Sequence, residues 1–206
     1  MDTEPTVFVV DDDEQMRASV CALVRSMQTQ VEPFSSAEEF LDIYSPARPG
    51  CLVADVRMPG MSGLELQEEL LRREAPLPLV FLTAYARVPT TVRAVRNGAV
   101  TVVEKPYRDD DLWDAVRQGL AVDAARRHEY EHRQVLRRRL ATLTPAERRV
   151  LEMIVEGRTN KAIARELDIS VRTIEGRRRE IFAKTQTSSV AALVRMVIDA
   201  RVEAGT

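Results

Sequence analysis

Five times over its first 120 residues the chain passes from a short run of strand formers to an amphipathic helical pattern, and no other feature restricts the fold as much. Val7-Phe8-Val9-Val10, Gln30 to Phe34, Cys51-Leu-Val-Ala54, Leu79-Val-Phe-Leu82 and Thr101 to Val103 read as strands. Helical stretches follow them. Gln15 to Met27 places Met16, Val20, Leu23, Val24 and Met27 on one face, and a Ser36-Ala-Glu-Glu39 capping box opens a helix through Ile43. Leu64 to Arg73, Val88 to Asn97 closed by Gly98, and Asp109 to Leu120 complete the set. Strands that are apolar at consecutive positions belong to a parallel sheet covered on both faces. Residues 1–120 are therefore expected to form an open, doubly wound α/β domain with five parallel strands.

The formal net charge of −2 hides two oppositely charged halves. Residues 1–120 carry 12 basic and 20 acidic side chains, whereas residues 121–206 carry 18 and 12. The reversal favours two domains, the second suited to a nucleic-acid partner. Cys21 and Cys51 lie in apolar contexts and are expected to be buried thiols rather than a bridge. No apolar run is long enough to span a bilayer, and the acidic start Met1-Asp-Thr-Glu-Pro5 is not a secretory signal. A cytoplasmic protein with no membrane partner is expected.

Residues 121–141 are highly charged and lack Gly and Pro, so they are expected to be a helical linker continuing from Asp109. A partner-binding coiled coil is the alternative, but no apolar heptad is sustained. Residues 142–206 show no strand pattern. Thr144-Pro-Ala-Glu147 is a capping box with Pro at the first helical position, opening a helix to Glu156 that Gly157 ends. Helices are expected from Thr159 to Leu167, from the cap Ser170 to Lys184, and from Ser189 through Val202, the middle pair forming a helix-turn-helix.

Ligand sites on a parallel sheet form beyond the carboxyl ends of the strands. There the first domain places Asp11-Asp12-Asp13, Asp55, Thr83 and Lys105-Pro106, following four different strands. Clustered carboxylates repel, and a hard divalent cation, magnesium, is the natural remedy. A phosphoryl group arriving at one carboxylate would meet the metal, the Lys105 ammonium and the Thr83 hydroxyl. Each residue taken alone is more often a solvated loop, a turn residue or a surface charge; their joint placement is what points to a site.

Val9-Val-Asp-Asp-Asp13, Asp55-Val-Arg-Met-Pro-Gly-Met-Ser-Gly63, Thr83-Ala-Tyr85 and Lys105-Pro106 resemble the receiver domain of bacterial response regulators, over roughly residues 5–120. The resemblance implies a flavodoxin-like fold with Asp55 as phosphoacceptor. It implies that Asp11, Asp12 and Asp55 hold Mg2+ with the backbone carbonyl of Arg57, that Lys105 and Thr83 sense the phosphoryl group, and that Asp13 is a bystander. One position departs from the family pattern. Val102 stands where an aromatic switch residue is usual, so either Tyr85 substitutes or the switch runs through packing of the 88–97 and 101–103 face; Tyr107 is read as packing.

On the helix after Ser170, Val171, Ile174, Ile181 and Phe182 fall on one side, with Arg172, Gly176, Arg179 and Ala183 opposite, a small basic face of major-groove type. Leu143-Thr-Pro-Ala-Glu-Arg-Arg-Val-Leu151, Gly157-Arg-Thr-Asn-Lys-Ala-Ile-Ala164 and Ile169-Ser-Val-Arg-Thr-Ile-Glu175 resemble the LuxR-type helix-turn-helix, over about residues 142–200. That resemblance implies phosphate contacts by Lys161, Arg172, Thr173 and Arg177, and base-edge contacts by Glu175, Gly176 and Arg179. Arg179 could take guanine bidentately and Glu175 accept from cytosine N4 or pair with a neighbouring arginine. Gly176 costs about 1 kcal/mol against Ala inside a helix, excused by close approach to DNA or simply drift. Leu193, Val194 and Val197 are marked by the resemblance as a dimer contact, though core packing explains them equally well.

The domain order is similar to the FixJ subgroup of response regulators. It implies a phosphorelay switch rather than a turnover enzyme, with a sensor histidine kinase, double-stranded operator DNA and RNA polymerase as partners. Phosphorylation is expected to favour a homodimer and transcriptional activation. Two rival readings fit the sequence less well. A haloacid-dehalogenase-type phosphohydrolase would need Asp-x-Asp at the nucleophile, which Asp55-Val56-Arg57 lacks. A phosphorylation-independent DNA-binding protein with a scaffold receiver is opposed by the intact set of Asp11, Asp12, Asp55, Thr83 and Lys105.

Overall fold

The computed structural model describes residues 4–73, 77–85 and 87–201, so Val202, the expected end of the last helix, lies outside the described residues. The chain divides into two compact units, Met1–Arg127 and His128–Thr206. In the first, strands β1 (Thr6–Val10), β2 (Gln30–Phe34), β3 (Gly50–Asp55), β4 (Leu79–Thr83) and β5 (Thr101–Glu104) alternate with helices α1 (Glu14–Ser26), α2 (Ala37–Ile43), α3 (Gly63–Arg72), α4 (Val88–Arg96) and the start of α5 (Asp109–Ala141). All pairings are parallel, in the order β2-β1-β3-β4-β5.

Consecutive strand residues face opposite sides, and both sides are filled. Phe8, Leu52 and Phe81 pack with Phe40, Leu66 and Leu70 in one layer, and Val7, Val53 and Leu82 with Val20, Val24, Leu112 and Val116 in the other. Cys21 and Cys51 are free and buried, and burial pushes the Cys51 thiol up to about 12. One expected cap differs. Ser36 Oγ accepts from the Glu39 N–H, but Glu39 bonds Ser35 rather than completing the reciprocal box. The reciprocal box is instead at the start of α3, between Ser62 and Glu65.

The second unit contains the end of α5 with α6 (Pro145–Val155), α7 (Asn160–Glu166), α8 (Val171–Thr185) and α9 (Val190–Arg201). Thr144 and Glu147 form the expected capping box, with Pro145 following the cap. Glu147 also accepts two 2.7 Å hydrogen bonds from Lys184, tying the start of α6 to the last turn of α8. Asp168 adopts φ 51° in the turn, and the Ser170 hydroxyl accepts from the Thr173 N–H to start α8.

Leu193 and Val197 are buried with Val150, Ile163, Ile174 and Ile181 in the core of this unit, as the core-packing alternative has it, and Val194 is half-buried. A side chain already enclosed by its own unit has no face left to present to a second copy. Leu136 packs with Met196 and Ala200. The charged 121–141 segment is helical throughout, its residues up to Arg127 grouping with the first unit and those from His128 with the second.

Candidate carboxylate site and basic helix face

Parallel register places the first site. Val10 pairs with Ala54, so Asp11, the residue after β1, comes beside Asp55, the last residue of β3. Both are buried, at 2% and 8% exposure. Between them lies the Lys105 ammonium, 2.6 Å from Asp55 Oδ1 and 3.0 Å from Asp11 Oδ2. Asp55 Oδ2 accepts from the Arg57 N–H at 2.6 Å, which directs the loop after β3 around the carboxylate. Gly63 begins α3 directly above: a Cβ there would stand 2.2 Å from the Asp55 carbonyl oxygen, so only glycine lets the helix pass so close.

Burial raises the Asp11 pKa above its usual value, against hydrogen bonds from Lys105 and the Asp13 N–H. Burial also acts to lower the Lys105 pKa, but the bonds to Asp55 and Asp11 outweigh it and the net shift is upward. Lys105 therefore stays charged between the two carboxylates. Asp12 is exposed at the rim, and no three His, Cys, Asp or Glu side chains converge as a ready-made metal cage among the described residues. Thr83 is buried, and its hydroxyl accepts from the Tyr85 N–H at 3.2 Å rather than touching either carboxylate. Tyr85 is 64% exposed with the Arg57 guanidinium 5.8 Å from its ring centre, whereas Val102 is half-buried against the sheet core.

Two supporting residues escaped the sequence reading. Asp13 is not a bystander but the N-cap of α1, its carboxylate accepting from Gln15 and Met16 N–H groups while its own N–H holds Asp11 Oδ1. Arg17 donates to the Asp11 carbonyl at 2.6 Å. The cap had a visible signal, an Asp directly before a helical pattern; the Arg17 contact had none.

On the second unit Arg172, Thr173, Glu175 and Arg179 are exposed on α8, with Gly176 and Arg177 half-buried. Arg172, Glu175 and Arg179 share an open groove with Asn160, Arg178 and Phe182, and the Arg178 guanidinium stands 5.8 Å from the Phe182 ring centre. Lys161 is exposed on the first turn of α7. The Thr173 hydroxyl is already engaged with Ser170 at 2.8 Å. Glu175 forms no ion pair among the described residues, which leaves its carboxylate open to a partner.

Residues 7–117 match the model of the response regulator receiver domain, and residues 141–197 that of bacterial regulatory proteins of the luxR family. The chain is 40% identical to nodulation protein W of Bradyrhizobium diazoefficiens, over 94% of this chain and 86% of that one. It is 41% identical to transcriptional regulatory protein FixJ of Azorhizobium caulinodans, over 93% of this chain and 91% of that one. The solved response regulator StyR aligns with a TM-score of 0.85 at 43% identity, covering 95% of this chain and 99% of that one. No helix among the described residues is long and apolar enough to cross a membrane. The parallel five-stranded unit and the helix-turn-helix unit place the chain in the two-component response regulators, as a transcription regulator that joins a receiver to a LuxR-type DNA-binding domain.

Proposed function

We propose that Asp55 accepts a phosphoryl group from a histidine kinase, and that receiver pairing on phosphorylation controls operator binding by the α7–α8 face. One observation carries this reading: two buried carboxylates, Asp11 and Asp55, share a single ammonium. The trio carries a net negative charge, with Asp12 adding another at the rim, in a place that burial makes costly.

Hard oxygen donors in this number suit Mg2+, which keeps several waters and needs no all-protein cage. Asp11, Asp12, Asp55 and the Arg57 carbonyl are the groups that would hold it, and when bound it supplies charge neutralisation for phosphoryl oxygens. An Asp55 oxygen attacks phosphorus as the kinase histidine nitrogen leaves. Lys105, already on Asp55, pairs with a phosphoryl oxygen, and the Thr83 hydroxyl turns from Tyr85 to donate to another. That turn releases the Tyr85 N–H, so the segment leading into α4 answers to phosphorylation without an aromatic residue at position 102. Exposed Val88, Val92 and Val95 supply an apolar face by which receivers pair. Self-phosphotransfer from small donors and slow loss of the group are the extent of its chemistry, and activation through RNA polymerase is the expected output.

Intact mass and oligomeric state after acetyl phosphate with Mg2+ test the reading. Wild type should gain one phosphoryl group and shift to dimer, and Asp55→Asn should do neither. An unmodified wild type of unchanged size would leave a constitutive DNA binder with a scaffold receiver.

A further inference from the structure

Asp123, buried, and Arg127, partly exposed, form a second charged cluster on α5, at the opposite end of the sheet from Asp55. Asp123 is 2% exposed, and its Oδ2 accepts from the Gly50 N–H and from Arg127 Nε, each at 2.8 Å. The other two guanidinium nitrogens donate to the carbonyls of Pro46, Ala47 and Arg48 at 3.1, 3.3 and 2.6 Å. Gly50 opens β3 and Asp55 closes it, a separation of about 17 Å along the strand.

The spacing alone does not make such a cluster. Glu129 and Arg133 have the same four-residue separation six residues further on, yet stand 3.8 Å apart with Glu129 largely in solvent. The pair gives something other than holding strength. A buried carboxylate is costly, and well-packed hydrophobic side chains would bind a helix to a loop without that cost. What a forked guanidinium on three consecutive carbonyls adds is direction, because its donors fix the plane and angle of approach.

We propose that the Asp123–Arg127 cluster is a positioning latch: it sets the angle at which α5 leaves the receiver, and so lets phosphorylation of Asp55 act on DNA binding. This rests on the reading of Asp55 as phosphoacceptor, although the latch takes no part in the phosphoryl chemistry. The bonds lie within the last turns of α5 that belong to the first unit, which reaches Arg127. Loosening them lets the last turns before His128 swing, and a change at the far end of the sheet then reaches the second unit without a defined lever.

The experiment compares full-length wild type, Arg127→Gln and Asp123→Asn before and after acetyl phosphate with Mg2+. Three readouts are taken: intact mass, amide hydrogen exchange over residues 121–127, and affinity for a duplex selected from a random pool with the phosphorylated wild type. The expected result is normal modification of Asp55, exchange faster by on the order of tenfold or more in 121–127, and loss of most of the phosphorylation-dependent gain in affinity. Arg127→Lys, which keeps the charge but not the fork, should recover less than half of that gain. Variants with fast exchange and a full gain overturn the latch, as do variants that no longer modify Asp55, since the cluster is then not separate from that site. Wild type that shows no gain defeats the functional reading instead, and is told apart by its own arm.

Discussion

The receiver and the DNA-reading unit treat charge in opposite ways. In the receiver Asp11, Asp55 and Lys105 are buried or nearly so, each fixed by partners from the chain itself. On the second unit Lys161, Arg172, Glu175 and Arg179 are exposed and form no ion pair among the described residues. A site for a small group with a few oxygens can be assembled in advance, at the desolvation cost of burying charged groups. A face for DNA is left unfinished because the phosphates bring the countercharge, and its strength should therefore depend steeply on salt.

The largest effect that sharpens this contrast lies inside the helical unit. Leu193→Ala should cost about 2–5 kcal/mol of stability in urea, independent of protein concentration, because Leu193 is fully enclosed; a loss seen only as weaker dimerisation would return it to an interface. Next, Arg179→Ala should cost about 1–3 kcal/mol in operator binding and relax one base position, leaving the thermal midpoint unchanged. Lys161→Ala should weaken all sequences alike and lower the salt slope by about 1. Destabilisation by either would break the idea of an exposed, unfinished face.

Gly176→Ala is a smaller test with two signs. A Cβ there meets nothing within 4 Å, so helix propensity predicts about 1 kcal/mol of added stability. Weaker DNA binding despite that gain would show that the glycine serves close approach of the duplex. The smallest effect is expected at the carboxylate site. Burial holds Asp11 above its usual pKa of 3.8, so the folded form binds that proton more readily than the unfolded chain and stability falls as pH rises through the interval. Asp11→Asn should raise the urea midpoint at neutral pH, with the difference shrinking on acidification toward 3.8.

Much of the receiver was legible because its signals are local. Runs such as Val7 to Val10 and Leu79 to Leu82 read directly as buried strands of a parallel sheet. Placing Asp11, Asp55, Thr83 and Lys105 at one rim needed only that topology. What local pattern could not show was which charges are buried. Asp123–Arg127 and Glu129–Arg133 look alike as sequence, and only the loop before β3 distinguishes them. Glu39 lay at the right distance for Ser36 but was drawn to Ser35, whose N–H and hydroxyl are both within reach. Leu193 and Val197 show the same limit: an apolar stripe on a helix marks a contact without saying whether its partner is the same unit or another copy.

The most direct test of the account measures DNA affinity before and after acetyl phosphate with Mg2+, for wild type and Asp55→Asn, on one duplex selected from a random pool. The account predicts tighter binding by phosphorylated wild type, with dimer on the duplex, and no response from the variant. Equal affinity for all four samples would contradict it.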